Sequence, residues 1–317
     1  MEGTVAILGA AGAIGKAATR ELVQRGAAVR VVGRSADRLQ RAFGDFPVAI
    51  HPADLESEAG ALAATRGVDT AVLTLGLPYT EFGRYPGLMR NLVNACEQNG
   101  VRRFLLVTNI YPYGAPQSAS VEETHPRTPC SFKGRMRLEQ EQVLQSSRTL
   151  RWITLRLPDF FGPDAELSYA RTLFEAALGD RRAQLIAPAN TPHQFVYTND
   201  AGPVIAGLLE RQDGWNETYH FAGSGKITVE EFARQIYESA GRRYRRILIP
   251  PLGIRWMGLF QPLMRELAEM HYLNATPVNL NDDKLARHLG PLHRTRYLDG
   301  IRATLESLRT HPFQPLL

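Results

Sequence analysis

Cysteine is scarce in this 317-residue chain, with Cys96 and Cys130 the only two. Two cysteines cannot build a disulfide framework or a cysteine zinc site, and a reducing compartment is the default expectation. The chain has no run of about 18 uncharged apolar residues, so no membrane helix is expected. The apolar start Val5-Ala-Ile-Leu has no basic flank before it and reads as a first strand, not a signal peptide. A cytoplasmic location is the expectation. The eight histidines show no zinc-like spacing, and no metal is implied. There is no serine nucleophile elbow, no internal repeat and no low-complexity segment. Charge of one sign is in small excess: 37 basic against 32 acidic residues give +5, with a pI near 9.3. Arginines are scattered among acids, and only Arg242-Arg243-Tyr244-Arg245-Arg246 is dense. That run reads as a solvated basic loop, with a phosphate or anionic-partner contact as the alternative. No nucleic-acid partner is expected.

What is present is a core-forming chain, 44% apolar, with a regular rhythm. Val5–Leu8 is a short apolar run without alternation, as a parallel sheet requires. A helical pattern follows from Ile14 to Arg25 and stops at Gly26. Strands are expected at 28–32, 48–51, 70–75, 104–108 and 152–157, with helices at 39–43, 59–65, 88–98 and 133–146 between them. Strands alternating with helices argue for a doubly wound α/β sheet of the Rossmann type. Further on, a strand is expected at 195–197, a helix at 201–210, a strand at 219–221 and a helix at 229–240 with Thr228 as its cap. The chain is expected to divide near Pro158. Residues 1–157 would form a nucleotide-binding domain. Residues 158–317 would complete the sheet and form a smaller, mostly helical substrate region. The stretch from Trp256 to Tyr272 is rich in Trp, Met, Phe and Leu. It reads as a core-covering or dimer-forming helix pair, or as an apolar roof over a hydrophobic substrate.

The strongest single signal is Gly9-Ala-Ala-Gly12-Ala-Ile-Gly15, a G-x-x-G-x-x-G turn between the first strand and the first helix. Gly9 serves the tight turn, Gly12 lets a pyrophosphate approach the backbone, and Gly15 lets helix and strand pack closely. Ala11, Ala13 and Ile14 fill the turn, and the helix start offers free N–H groups to the phosphates. The second strand ends Val32-Gly33-Arg34-Ser35, without the acid that grips the ribose 2′-hydroxyl of NAD. Arg34 can instead hold a 2′-phosphate, with the Ser35 hydroxyl beside it, so NADP(H) is the expected cofactor. Asp54-Leu55, after the third strand, is placed to meet the adenine amine, although Asp54 could equally cap the next helix.

These residues, with Val107-Thr108-Asn109-Ile110-Tyr111-Pro112-Tyr113-Gly114, Leu155-Arg156-Leu157-Pro158-Asp159-Phe160-Phe161-Gly162-Pro163, His193-Gln-Phe195-Val-Tyr-Thr-Asn-Asp200 and Leu298-Asp-Gly-Ile-Arg302, resemble the extended and atypical short-chain dehydrogenase/reductases. That group includes nucleotide-sugar epimerases and dehydratases. The resemblance implies that the cofactor cleft also takes in Leu75, Gly76 and Pro158. It implies a Ser or Thr, a Tyr, and a Lys four residues after the Tyr as catalytic set. Here Asn109 stands at the Ser position with Thr108 beside it, Lys133 stands where Tyr belongs and Arg137 where Lys belongs. No Tyr-x-x-x-Lys pair occurs in the chain. The Lys133-x-x-Met-Arg137-x-x-x-Glu141 spacing is similar to the isoflavone-reductase-like and NmrA-like branch, whose reductases place a lysine here.

Lys133 and Arg137 share a helix face. A fixed cation nearby and partial burial would disfavour the charged lysine, letting it exchange a proton with a substrate oxygen. The alternative makes both residues a clamp on the cofactor, with a contact to phosphate or ribose. Tyr111, Asp159 and His193 are candidate substrate contacts; Tyr113 reads as structural, and His125 and Cys130 as incidental. The leading reading is an NADP-dependent oxidoreductase, or an epimerase or dehydratase using the nucleotide transiently, on a small organic carbonyl, hydroxyl or enone substrate. Lys133 moves the proton, Asn109 or Thr108 bonds the substrate oxygen, and Arg137 orients the cofactor. A homodimer is expected from the family. The alternatives are a non-catalytic NADP-sensing protein like the NmrA-type regulators, and a non-redox isomerase or lyase.

Overall fold

In the computed structural model, residues 3–257 and 262–313 are described. The first half alternates strand and helix: β1 (Thr4–Leu8), α1 (Ala13–Gln24), β2 (Ala28–Gly33), α2 (Ala36–Phe43), β3 (Val48–Pro52), α3 (Glu58–Thr65), β4 (Thr70–Leu73), α4 (Tyr85–Gln98), β5 (Arg103–Asn109), α5 (Phe132–Gln145) and β6 (Arg151–Leu157). The second half supplies β7 (Asp159–Phe161), α6 (Arg171–Leu178), β8 (Ala183–Ile186), β9 (Pro192–Tyr197), α7 (Ala201–Glu210), β10 (Glu217–His220), β11 (Lys226–Thr228) and α8 (Val229–Ser239). It ends with β12 (Arg246–Ile249), α9 (Pro251–Met257), α10 (Pro262–Glu269), α11 (Tyr272–Ala275), α12 (Asp283–Leu289) and α13 (Tyr297–Thr310).

Seven strands form one parallel sheet in the order β10-β6-β5-β4-β1-β2-β3. The winding reverses between β1 and β4, and the crevice at their carboxyl ends is where such sheets bind ligands. Alternate residues of β1 serve opposite faces. Val5 and Ile7 join the core under α1 and α7. Ala6 and Leu8 join the core under α3 and α4. Helix starts follow local chemistry. α2 begins earlier than its apolar pattern because the Ser35 hydroxyl accepts the Arg38 N–H. α4 begins at Tyr85, with Pro86 tolerated in its first turn. Thr228 caps α8 through the Glu231 N–H, as its position predicts.

The C-terminal part is mostly helical, as expected. It contains a three-stranded sheet, β11-β9-β7, and a parallel pair, β12-β8. Its own core gathers Phe161, Phe174, Phe195, Phe232, Ile301 and Leu305. Phe195 and Phe232 stack at 4.5 Å. Residues 258–261, within the apolar stretch Trp256–Tyr272, lie outside the described residues, as do the side chains of Leu263, Met264 and Leu267. Trp256 is exposed and Met270 is buried.

A buried polar chain holds the outer strand in place. Arg156 on β6, 1% exposed, pairs with Glu141 of α5 and donates to the Tyr113 hydroxyl at 2.7 Å. The Tyr113 O–H meets His220 Nε2 at 2.6 Å, and His220 Nδ1 faces the Asn281 carbonyl at 3.1 Å. A carbonyl only accepts, so Nδ1 carries the hydrogen and Nε2 accepts from Tyr113. Burial, with Arg156 nearby, drives the His220 pKa down to about 3, which keeps the ring in this neutral tautomer. Tyr113 is thus structural.

Candidate active site

The cofactor end of the cleft is built from backbone. Gly9 has φ +89°, and a Cβ there would lie 2.7 Å from the Leu75 Cα. The strand β4 and the glycine turn therefore meet too closely for any other residue. A Cβ on Gly15 would sit 2.6 Å from the Gly9 carbonyl oxygen. Gly12 differs from both. Its φ is −78°, and a Cβ there would meet only the Gly9 oxygen, at 3.5 Å. The protein itself does not require glycine at position 12. The space it leaves lies at the N-cap of α1, which no side chain caps. A phosphate needs that space and those free N–H groups, so the residues present fit a dinucleotide.

The other cofactor candidates line up around this turn. Arg34 is exposed at the end of β2. Ser35 uses its oxygen to cap α2. Asp54 is exposed and accepts the Glu56 N–H, while Ser57, not Asp54, caps α3. Leu55 is buried, Leu75 half-buried and Gly76 exposed. Pro158 is buried just past β6. One feature carries no signal in the sequence: an acidic strap after β7. Asp164 pairs with Lys16 at 2.7 Å and Glu166 with Arg38 at 3.2 Å, and the Leu167 methyl packs 3.0 Å from the position a Gly76 Cβ would take. The strap thus bridges α1, α2 and the end of β4.

The reaction end is built from side chains. Asn109 closes β5, and its Oδ1 accepts the Tyr111 N–H at 3.1 Å, shaping the turn Tyr111–Tyr113. The Thr108 hydroxyl is buried with no hydrogen-bond partner among the described residues. Lys133, in the first turn of α5, is 0% exposed. Its Nζ binds Glu266 and, at 2.5 Å, Glu269, both on α10, and stands 5.6 Å from the Tyr79 ring centre.

Two expectations need correction here. The neighbours that grip Lys133 are carboxylates, where a fixed cation was expected. Arg137 is committed elsewhere. It donates to the Tyr85 hydroxyl and to Gln140, each at 2.8 Å, and its guanidinium lies 3.6 Å from the Tyr85 ring centre. The reason lies in the turn Tyr79–Arg84, which brings Tyr79 and Phe82, with Tyr85 at the start of α4, over the face shared by Lys133 and Arg137. The spacing Tyr79-x-x-Phe82-x-x-Tyr85 was the available signal for this aromatic wall.

Tyr111 is buried, and its hydroxyl meets that of Tyr79 at 2.8 Å. Burial raises both phenols, Tyr79 up to about 12 and Tyr111 well above its ordinary value. Both therefore keep their protons, and neither is tuned as a base. Burial also raises the Asp159 carboxyl, against the lowering pull of His193. The His193 ring faces two carbonyls, Thr191 at 3.0 Å and Leu273 at 3.1 Å. It ties β9 to the α11 segment and presents neither nitrogen to a ligand. His125 is likewise a loop staple, between the Gln117 N–H and the Pro126 carbonyl. Cys130 is a free, exposed thiol.

The geometry of a dinucleotide cleft agrees with the comparisons to known proteins. The family described as NAD(P)H-binding matches residues 9–187, more than half of the chain. The chain belongs to that family. A 3 beta-hydroxysteroid dehydrogenase/Delta 5→4-isomerase of Mycobacterium tuberculosis is 24% identical, over 99% of this chain and 86% of the relative. The WbmH enzyme of Bordetella bronchiseptica, solved with NAD+, superposes with a TM-score of 0.79 at 18% identity, over 98% of this chain and 99% of that one. The dTDP-glucose 4,6-dehydratase DesIV of Streptomyces venezuelae, solved with NAD, gives 0.80 at 18% identity, over 97% of each chain. The chain thus has the fold of the epimerase and dehydratase group and an NAD(P)H-binding domain. Among the described residues no group of His, Cys, Asp and Glu is arranged to hold a metal, and no helix is long and apolar enough to cross a membrane.

Proposed function

We propose that the protein is an NADP(H)-dependent oxidoreductase of the extended or atypical short-chain type, acting on a small apolar carbonyl, hydroxyl or enone compound. The observation that carries the reading is a buried, doubly paired Lys133 beside an aromatic wall, on the helix that follows β5. The 3 beta-hydroxysteroid relative favours an apolar ring substrate, and the stacked aromatic cluster of Tyr79, Phe82 and Tyr111 stands beside Lys133. Asp159 stands where many epimerases of the resembling group use Asn on their substrate, which weighs against a nucleotide sugar. When bound, the nicotinamide supplies or accepts the hydride. Gly9, Gly12 and Gly15 shape the pyrophosphate site, and Arg34 holds the 2′-phosphate. Lys133 holds and moves the proton at the substrate oxygen through Nζ, and Asn109 or Thr108 bonds the same oxygen. Arg137 acts from behind, by fixing Tyr85 and the aromatic wall. A homodimer in the cytoplasm, divided near Pro158 into nucleotide and substrate parts, belongs to the same reading.

The test is an NADPH-linked assay over a panel of cyclic ketones and enones, run with the full chain and with Lys133→Met. Oxidation of NADPH by the unaltered protein, lost in the variant with cofactor binding retained, supports the reading. A second reading has one observation in its favour: Lys133 has no solvent-exposed surface. It makes the chain a non-catalytic NADP-sensing protein, and it predicts tight NADPH binding without turnover on any panel member.

A further inference from the structure

The proposed reading leaves α10 without a task, yet two carboxylates of α10 grip Lys133. Glu266 and Glu269 are three residues apart and share one face of that helix. Glu269 binds at two points. Its Oε1 accepts the backbone N–H of Phe132, the first residue of α5, and its Oε2 accepts from Lys133 Nζ at 2.5 Å. The Phe132 N–H is one of the unpaired donors of a helix start, where the helix dipole also favours a carboxylate. Glu266 Oε2 takes a second hydrogen from Lys133 Nζ. An ammonium has three hydrogens. Two are held by carboxylates, and the third has no acceptor among the described residues.

We infer that Glu266 and Glu269 are positioning residues that hold Lys133 as an ammonium with one N–H free for a substrate carbonyl oxygen, which makes this site a carbonyl reductase. The inference rests on the catalytic reading of Lys133. In the step, one Nζ–H bond breaks and one O–H bond forms at the substrate oxygen. The carbonyl carbon gains a C–H bond from the hydride of NADPH, which is oxidised to NADP+. The lysine is left as a neutral amine between two carboxylates and regains a proton from solvent. Lys133 is fully buried beneath α10, so a substrate must reach Nζ past that helix. Anions beside a cation favour its charged form. The charged and titratable groups on the elements packed around Lys133 are Glu266, Glu269 and Arg265 of α10, Tyr79, Glu81 and Arg84 of the turn Tyr79–Arg84, Tyr111 and Tyr113 of the next turn, Arg135, Arg137, Glu139 and Glu141 of α5, Cys130 before it, and Tyr272 of α11, with Asp159 facing Tyr79 and Tyr111; Arg84 pairs with Glu81 and Glu56, and Glu141 with Arg156. Removing both carboxylates takes away the two anions that touch Lys133 Nζ.

The chain has four lysines, Lys16, Lys133, Lys226 and Lys284, so each amine can be followed separately. The experiment is competitive acetylation of the full chain without cofactor, from pH 6 to 11, read by mass spectrometry. In Glu266→Gln/Glu269→Gln the midpoint of Lys133 labelling should fall by about 1 to 3 pH units, the range set by a close opposite charge, while the other three lysines keep theirs. The alkaline limb of NADPH-linked ketone reduction should fall with it, at unchanged NADPH affinity. Should the double variant not fold, Glu266→Gln alone serves, since Glu269 still caps α5, and its shift should be smaller in the same direction. An unchanged midpoint would mean that the carboxylates only latch α10 and would overturn the inference alone. Undiminished turnover in Lys133→Met would overturn the catalytic reading itself, and the inference with it.

Discussion

The two ends of the cleft are made by different means. The cofactor end is a contiguous stretch, Gly9 to Gly15, whose shape is set by backbone dihedrals and by what a Cβ would strike. The reaction end is assembled from side chains far apart in the chain, with Glu269 reaching Lys133 across 136 positions. The contrast teaches which kind of site tolerates change. A backbone site depends on a few residues being small. A side-chain site depends on partners that must all arrive.

Substitutions can break this comparison, and the largest effect is expected at the reaction end. Lys133→Met should lower turnover by about 10²–10⁴-fold, the usual loss of a general acid or base, with NADPH affinity changed less than about twofold. Steady-state kinetics beside a fluorescence titration would check it. Next comes the buried tie between α5 and β6. Glu141→Gln strands Arg156 and should cost about 3–5 kcal/mol of stability, read by chemical denaturation. The glycines then separate fold from binding. Gly15→Val should destabilise the chain, since its Cβ would sit 2.6 Å from a carbonyl oxygen. Gly12→Val should leave the melting temperature nearly unchanged and weaken NADPH at least about tenfold. Equal effects of the two on stability would erase the distinction drawn between those positions.

The smallest expected effect sharpens the account of β10. The His220 pKa is lowered from 6.5 to about 3. A lowered base contributes stability fully above its unfolded value and loses it as pH falls toward the folded one. Stability should therefore drop by up to about 1.4 kcal/mol per pH unit below 6.5. The buried carboxyls of Glu123, Asp159 and Asp200 are raised. They act in the opposite sense, losing stability as pH rises through the range above their ordinary values. Denaturation at pH 7 and at pH 5.5, compared with His220→Gln, isolates the histidine; an equal pH slope in both would remove His220 from the account.

The sheet was legible in the sequence because buried parallel strands are short apolar runs separated by glycine stops. Gly26 and Gly100 both take positive φ past the ends of α1 and α4. The small sheets were not legible. β7 has three residues, and β12 is mostly exposed, so neither carries a period. The glycine turn was legible because its requirement is local. The partners of Lys133 were not, because no spacing along the chain links Lys133 to Glu266. Arg137 was misplaced for a related reason: helix spacing shows that it shares a face with Lys133, but not that Tyr85 would occupy it.

The central claim is that this cleft holds a dinucleotide with a 2′-phosphate. Titration with NADPH and NADH, for the unaltered chain and for Arg34→Ala, tests it most directly. The account predicts tighter binding of NADPH, and a loss of about 10- to 100-fold for NADPH in Arg34→Ala, as for a charged hydrogen-bonded pair, with NADH nearly unaffected. Equal weakening of both nucleotides would contradict the 2′-phosphate assignment, and binding of neither by the unaltered protein would contradict the account at its base.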